Sequence, residues 1–169
     1  MMRLILSLLV LLLTAAGAHY VVLTSVPGFV MTKANQMLES QGVELHVWSA
    51  SPRQTPQTQR VVRPSPDLAY AVCRFDTSNG PVRISAPVGS VYGSLSIFNG
   101  QTDNVFVGDL SPGSGFTEVI VSASAPAGSA SEAKVDGPGV ALIRRLAPSQ
   151  AEYDSAAALV AGASCGPID

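Results

Sequence analysis

A mainly β domain behind an apolar amino-terminal helix is what this sequence predicts, and three observations carry the expectation. From Leu68 onward, apolar and polar residues alternate in short runs. Gly, Pro and Asn turns break those runs at the roughly eight-to-twelve-residue spacing of an all-β domain. Leu4 to Thr32 contains no Asp, Glu, Lys or Arg. Ser149-Gln150-Ala151-Glu152 spells a helix start near the carboxyl end. The expected architecture is an antiparallel β-sandwich or barrel-like domain with a C-terminal peripheral helix and an N-terminal transmembrane helix. Residues 1–26 read as the transmembrane anchor or a signal peptide, 27–60 as a juxtamembrane helix and linker, and 61–169 as the β-rich domain.

The leader opens Met1-Met2-Arg3 and continues as an almost unbroken Leu/Ile/Val run. At 1.5 Å per residue, about 20 residues cross a ~30 Å hydrocarbon core, and Leu4 to Leu23 has that length. Arg3 and the amino terminus flank it on one side, so the positive-inside rule leaves the amino end in the cytoplasm and exports the remainder. Ala16-Gly17-Ala18 also fits a signal peptidase site, with cleavage before His19. Against cleavage, Tyr20 to Leu23 and Val26 extend the apolar run past that point. Either outcome exports the domain. The expected location is the inner membrane, single-pass, with the domain facing the periplasm. His19 has no acidic or histidine partner in the segment and reads as a neutral imidazole near the outer interface.

Pro27-Gly28 punctuates the chain, and Phe29, Val30, Ala34, Met37 and Leu38 then recur at helical spacing up to Gly42. Ser49 to Ser65 is rich in Pro, Gln, Thr and Arg and reads as an extended loop. Ala69, Ala71, Cys73 and Phe75 then share one strand face. Ser78-Asn79-Gly80 predicts a hairpin into Val82, Ile84, Ala86 and Val88. Val91, Gly93, Leu95 and Ile97 alternate with Tyr92, Ser94, Ser96 and Phe98 before a second Asn-Gly turn at Asn99-Gly100. Val105 to Val107, Thr117 to Ser122 and Gly139 to Leu146 complete the strands, and the capped Ala-rich helix runs up to Gly162.

Charged residues form 13% of the 169, about half the usual share. Twelve acidic against ten basic side chains leave a net charge of -2, without the basic surplus of a nucleic-acid binder. Cys73 and Cys165 are the two cysteines, and in an exported domain they are natural disulfide partners. No histidine has a partner at metal-ligand spacing, and Gly113-Ser114-Gly115 lacks the context of a phosphate loop. No metal, no cofactor and no catalytic set is implied.

Two polar clusters remain as ligand-site candidates. Arg63, Asp67 and Tyr70 bring a guanidinium, a carboxylate and a phenol to the mouth of the first core strand, with Tyr92 as a further candidate. Asn99, Asp103 and Asn104 form an amide- and carboxylate-rich turn. The plainer reading of each is a turn that satisfies its own backbone. Arg144-Arg145 reads as a solvated strand end rather than an anion site, with one side chain pointing each way.

Val62 to Tyr70, Asp76 to Val82, Ser90 to Phe98, Thr102 to Gly108 and Gly139 to Arg145 together resemble the family called domain of unknown function 1254. Larger relatives show Arg-Pro-Asn-x-Asp-Thr-x-Tyr where this chain has Ser65, Leu68 and Ala69, while Asp67 and Tyr70 are kept. The resemblance implies a mostly β domain in a short, membrane-anchored form. It also implies a separately encoded partner carrying domain of unknown function 1214, which longer relatives hold on the same chain. Two functional readings stand side by side. One is a non-catalytic binding or assembly module of a bacterial-type cell envelope. The alternative is an enzyme or enzyme subunit with a polar site at Arg63, Asp67 and Tyr70.

Overall fold

The fold is described from a computed structural model, for residues 2–55, 64–116, 118–126 and 128–168. Helix α1 runs unbroken over Met2–Ser40, with Pro27 inside it. This differs from the expected break at Pro27-Gly28. Proline forgoes one hydrogen bond to the preceding turn, whereas leaving the helix would orphan several amides and carbonyls. The helix then has a tertiary contact to hold it: Met31, one turn past Pro27, is buried.

The strands are β1 (Trp48–Ala50), β2 (Leu68–Asp76), β3 (Val82–Ser85), β4 (Gly93–Phe98), β5 (Asn104–Asp109), β6 (Glu118–Ser122), β7 (Glu132–Lys134), β8 (Pro138–Leu146) and β9 (Ser164–Pro167). Among the described residues they form two sheets, in the orders β1-β2-β8-β4-β5 and β7-β6-β3-β9. All pairings are antiparallel except β6 with β7. The result is an open sandwich; the sheets do not close into a barrel.

Period-two alternation decides which face each residue takes. Phe75, Leu95, Ile97, Ala141 and Ile143 from the larger sheet meet Val82, Ile84, Val119 and Val121 from the smaller one, and all are essentially inaccessible to solvent. Across this core the Cys73–Cys165 disulfide joins β2 to β9, one strand from each sheet. Beside it, Trp48 Nε1 donates to Ser164 O at 2.9 Å and ties β1 to the same edge. β8 needs Gly139 because a Cβ there would lie 2.4 Å from Phe75 Cζ and 2.8 Å from Phe98 O.

The Ser78-Asn79-Gly80 turn does not make the expected hairpin: β2 and β3 belong to different sheets. Asp76 Oδ1 accepts from Ser78 N at 2.9 Å and from Ser78 Oγ at 2.6 Å, turning the chain out of the larger sheet. Gly80, at φ 134°, takes a backbone conformation suited to glycine and hands the chain to the other layer. Helix α2 (Gln150–Ala158) begins at the expected capping box, with Ser149 Oγ accepting from Glu152 N and the Glu152 carboxylate reaching back to Ser149 N. A 3-10 turn, Leu159–Gly162, follows it. Ala69, Ala147 and Ala156 pack under Tyr153, so α2 covers the sheet at the end where β8 finishes.

Helix α1 meets the domain at the opposite end. A Cβ built on Gly28 would lie 3.0 Å from Gln101 Nε2, in the β4–β5 turn. Further along, Arg74 of β2 gathers the helix end: Nε donates to Asn35 Oδ1 at 3.4 Å, Nη1 to Val43 O at 3.0 Å, and Nη2 pairs with Glu39 Oε2 at 3.3 Å. The preceding apolar part of α1 packs against nothing in the domain: its most apolar 18-residue window is 0% buried.

Candidate functional site

The antiparallel order separates the two clusters read from sequence. β2 begins at Leu68, opposite Leu146, and β4 begins at Gly93, opposite Arg145. Asp67, Tyr70 and Tyr92 therefore lie at the Leu146 end of the larger sheet. Asn99, Asp103 and Asn104 lie at the Pro138 end, where Gly100 approaches Pro138 O. Between Pro138 and Leu146 the strand runs about 27 Å at ~3.4 Å per residue.

At the first end, Tyr70 is half-buried and its hydroxyl accepts from Ser65 N at 2.9 Å. Asp67 is exposed. Its backbone carbonyl accepts from Ala147 N at 2.8 Å, and its carboxylate makes no hydrogen bond to any described residue. Tyr92 is 55% exposed at the surface. Arg63 lies outside the described residues. At the other end, Asn99 Oδ1 accepts from Gln101 N and Asp103 N, both at 2.9 Å, and Asn99 Nδ2 donates to Asp103 Oδ2 at 2.9 Å. Thr102, at φ 68°, supplies the left-handed residue of this turn. Its polar groups are spent on holding the loop, as the plainer reading of such a sequence expects. Asn104 is exposed at the start of β5.

The arginine pair departs from expectation. The two side chains do point opposite ways, but neither is a solvated strand end. Arg144 is half-buried on the outer face, where Nη1 donates to Ser96 Oγ at 3.0 Å. Arg145 continues the inward series Ala141, Ile143, Arg145 and is only 2% exposed. Its Nη2 donates to Pro87 O, and its Nη1 has no hydrogen-bond partner. It makes no ion pair with a described carboxylate. Burial lowers its pKa from the usual arginine value, yet the group starts so basic that it stays charged.

Nη1 is tucked against two glycines: a Cβ on Gly89 would lie 2.8 Å from it and one on Gly93 3.2 Å. Arg145 also lines an open cavity of about 240 Å³ between the Gly89–Val91 segment and α2. Val91, Leu146 and Leu159 give that cavity apolar walls, and Ser90 and Ser155 bring hydroxyl-bearing residues to it. Glu152 also lines it, but its carboxylate accepts from Ser149 N at 2.8 Å and Ser149 Oγ at 2.6 Å, bonds that hold its pKa down. Alternation along β8 could have placed Arg145 inward from sequence. The cavity could not have been found that way, because three separate segments build it.

Comparison with known proteins bears on the fold. The family described as "Protein of unknown function (DUF1254)" matches residues 45–167. A search of curated proteins finds no match. Among solved structures, the VPA0106 protein from Vibrio parahaemolyticus is similar with a TM-score of 0.61 at 13% identity, over 84% of this chain and 35% of that one. An uncharacterized protein from Burkholderia cenocepacia gives a TM-score of 0.43 at 17% identity, over 66% of this chain and 33% of that one. The chain thus spans about a third of the length of either structure.

Proposed function

The chain belongs to the DUF1254 family, and from that premise we propose that it is a membrane-anchored, extracytoplasmic module with a binding or assembly role and no catalysis of its own. The observation that carries the reading is the uncovered apolar stretch of α1, joined without a break to a disulfide-tied domain. Leucine and valine side chains left bare over five turns are costly in water and favourable in lipid. A disulfide persists in an oxidising compartment. Both features fit a single-pass protein of the inner membrane whose domain faces the periplasm.

On this reading α1 also sets the height of the domain. Helix α1 is 39 residues long, or about 58 Å, well beyond a ~30 Å hydrocarbon core. With Leu4 to Leu23 in the bilayer, the docked stretch starts at Gly28, about 8 Å further on. The Asn99–Asp103 turn, whose Gln101 meets Gly28, then lies on the side of the domain where the helix leaves the membrane.

The partner we propose is a protein carrying the domain called DUF1214. Co-expression of the tagged full chain with such a protein, followed by purification in mild detergent, tests the assembly role. The two chains are expected to elute together at a fixed ratio. Elution of the tagged chain alone, as a monomer, would remove the support for an assembly role.

A further inference from the structure

We propose that the cavity beside Arg145 is a binding site for a small monocarboxylate with a short apolar body. Arg145 is a buried cation without a counter-ion among the described residues. Arginine brings five N–H donors in a rigid fork suited to a carboxylate. Here the fork is 2% exposed, meets one backbone carbonyl at Pro87, and has an Nη1 with no acceptor. A buried charge without a partner is among the most expensive arrangements a fold can hold. Buried polar atoms that lack partners are rare, and each calls for an explanation, of which binding an ion is one.

The surroundings select the anion. The guanidinium supplies one positive charge. The acidic Glu152 in the cavity lining, held ionised by Ser149, opposes a dianion such as phosphate more strongly than a monoanion. Val91, Leu146 and Leu159 offer apolar contact to the rest of the ligand, and Ser90 and Ser155 can add hydrogen bonds. A volume of about 240 Å³ is that of about eight waters at ~30 Å³ each, room for a few carbons behind the carboxylate. Arg145 forms part of the cavity wall, and a small rotation of its tip from beneath Gly89 would present Nη1 to the incoming oxygen. The site is independent of the membrane anchor, so its failure would leave the localisation reading untouched.

Titration calorimetry on the full chain in nanodiscs tests this, with butyrate, acetate, butyramide and inorganic phosphate as probes. Butyrate is expected to bind, at least tenfold more tightly than the uncharged butyramide and measurably more tightly than acetate. Arg145→Met should weaken butyrate at least tenfold. Ser155→Phe fills the cavity from an exposed helix position and leaves Arg145 in place; it should do the same and decides the matter if the first variant does not fold. No butyrate binding, equal binding of butyrate and butyramide, retention of binding in the folded variants, or a preference for phosphate would each overturn the proposal.

Discussion

Reducing the Cys73–Cys165 bond leaves both side chains in place and removes only the link, so it isolates what the link contributes. The bond closes a loop with a sequence separation of 92. In the chain-entropy model a loop of that size restricts the unfolded chain by about 4.6 kcal/mol at 25 °C. Spread over the unfolding entropy of a β domain of about 120 residues, roughly 0.25 kcal/mol per degree, this corresponds to about 18 °C in Tm. That figure is an upper bound, and a loss of about 2–4.6 kcal/mol is the expected range. Trp48 is the single tryptophan. It donates to Ser164, the neighbour of Cys165, so its fluorescence reports unfolding at the cross-link itself. Urea titrations of oxidised and reduced protein in the same detergent should show the reduced form melting earlier. The urea slope should not fall, because the freed unfolded chain exposes more surface. Unfolding free energies equal within about 0.5 kcal/mol would refute the claim that this bond clamps the two sheets together.

Other consequences are local. Gly139→Ala forces a Cβ into Phe75 and the Phe98 carbonyl and should destabilise by about 1–3 kcal/mol in urea unfolding, with an unchanged midpoint as the contrary result. Ser149→Ala removes the acceptor for Glu152 N and should cost about 1 kcal/mol by the same assay; no loss would mean the cap is irrelevant to α2. Asp109, hydrogen-bonded by Ser111, and Glu152, hydrogen-bonded by Ser149, have lowered pKa values in the folded state. Their contribution is therefore fully present above the unfolded values near ~4 and is lost as pH falls through the lower folded values. A Tm that climbs on acidification from pH 5 to pH 3 would contradict that sign. Arg74→Ala removes the contacts to Asn35, Glu39 and Val43 and should speed amide exchange at Gln41 and Val43, leaving β8 protected; unchanged exchange there would show that Arg74 does not hold the helix end.

The parts of the fold written in local pattern were legible in the sequence. Alternation from Ala69 to Phe75 gave β2 its core face, Ser149 and Glu152 marked the start of α2, and the pairing of Cys73 with Cys165 followed from their number and the export expected from the leader. The short strands Trp48–Ala50, Glu132–Lys134 and Ser164–Pro167 were not legible, since three or four residues cannot establish a period and tertiary pairing alone defines them. The Asn79-Gly80 signal gave the turn but not its destination. Whether a chain reversal pairs its strands or passes between layers depends on side chains such as Thr77, buried and bonded to Val135 O at 2.9 Å, far away in sequence. Of the candidate residues read from sequence, Asn99 and Asp103 hold their own turn, while Asp67 and Tyr92 stand exposed at the other end of the larger sheet. Arg145 escaped because its significance lies in what fails to meet it.

On the proposed reading, an apolar helix holds this domain at a membrane, on its oxidising side. The direct test is an alkylation gel on fractionated cells that express the full chain. Membranes are washed with alkaline carbonate, and each fraction is treated with a mass-tagged maleimide before and after reduction. The protein is expected in the washed membrane pellet, unmodified until reductant is added and then carrying two tags. Recovery in the soluble fraction, with both cysteines tagged at once, would contradict the account.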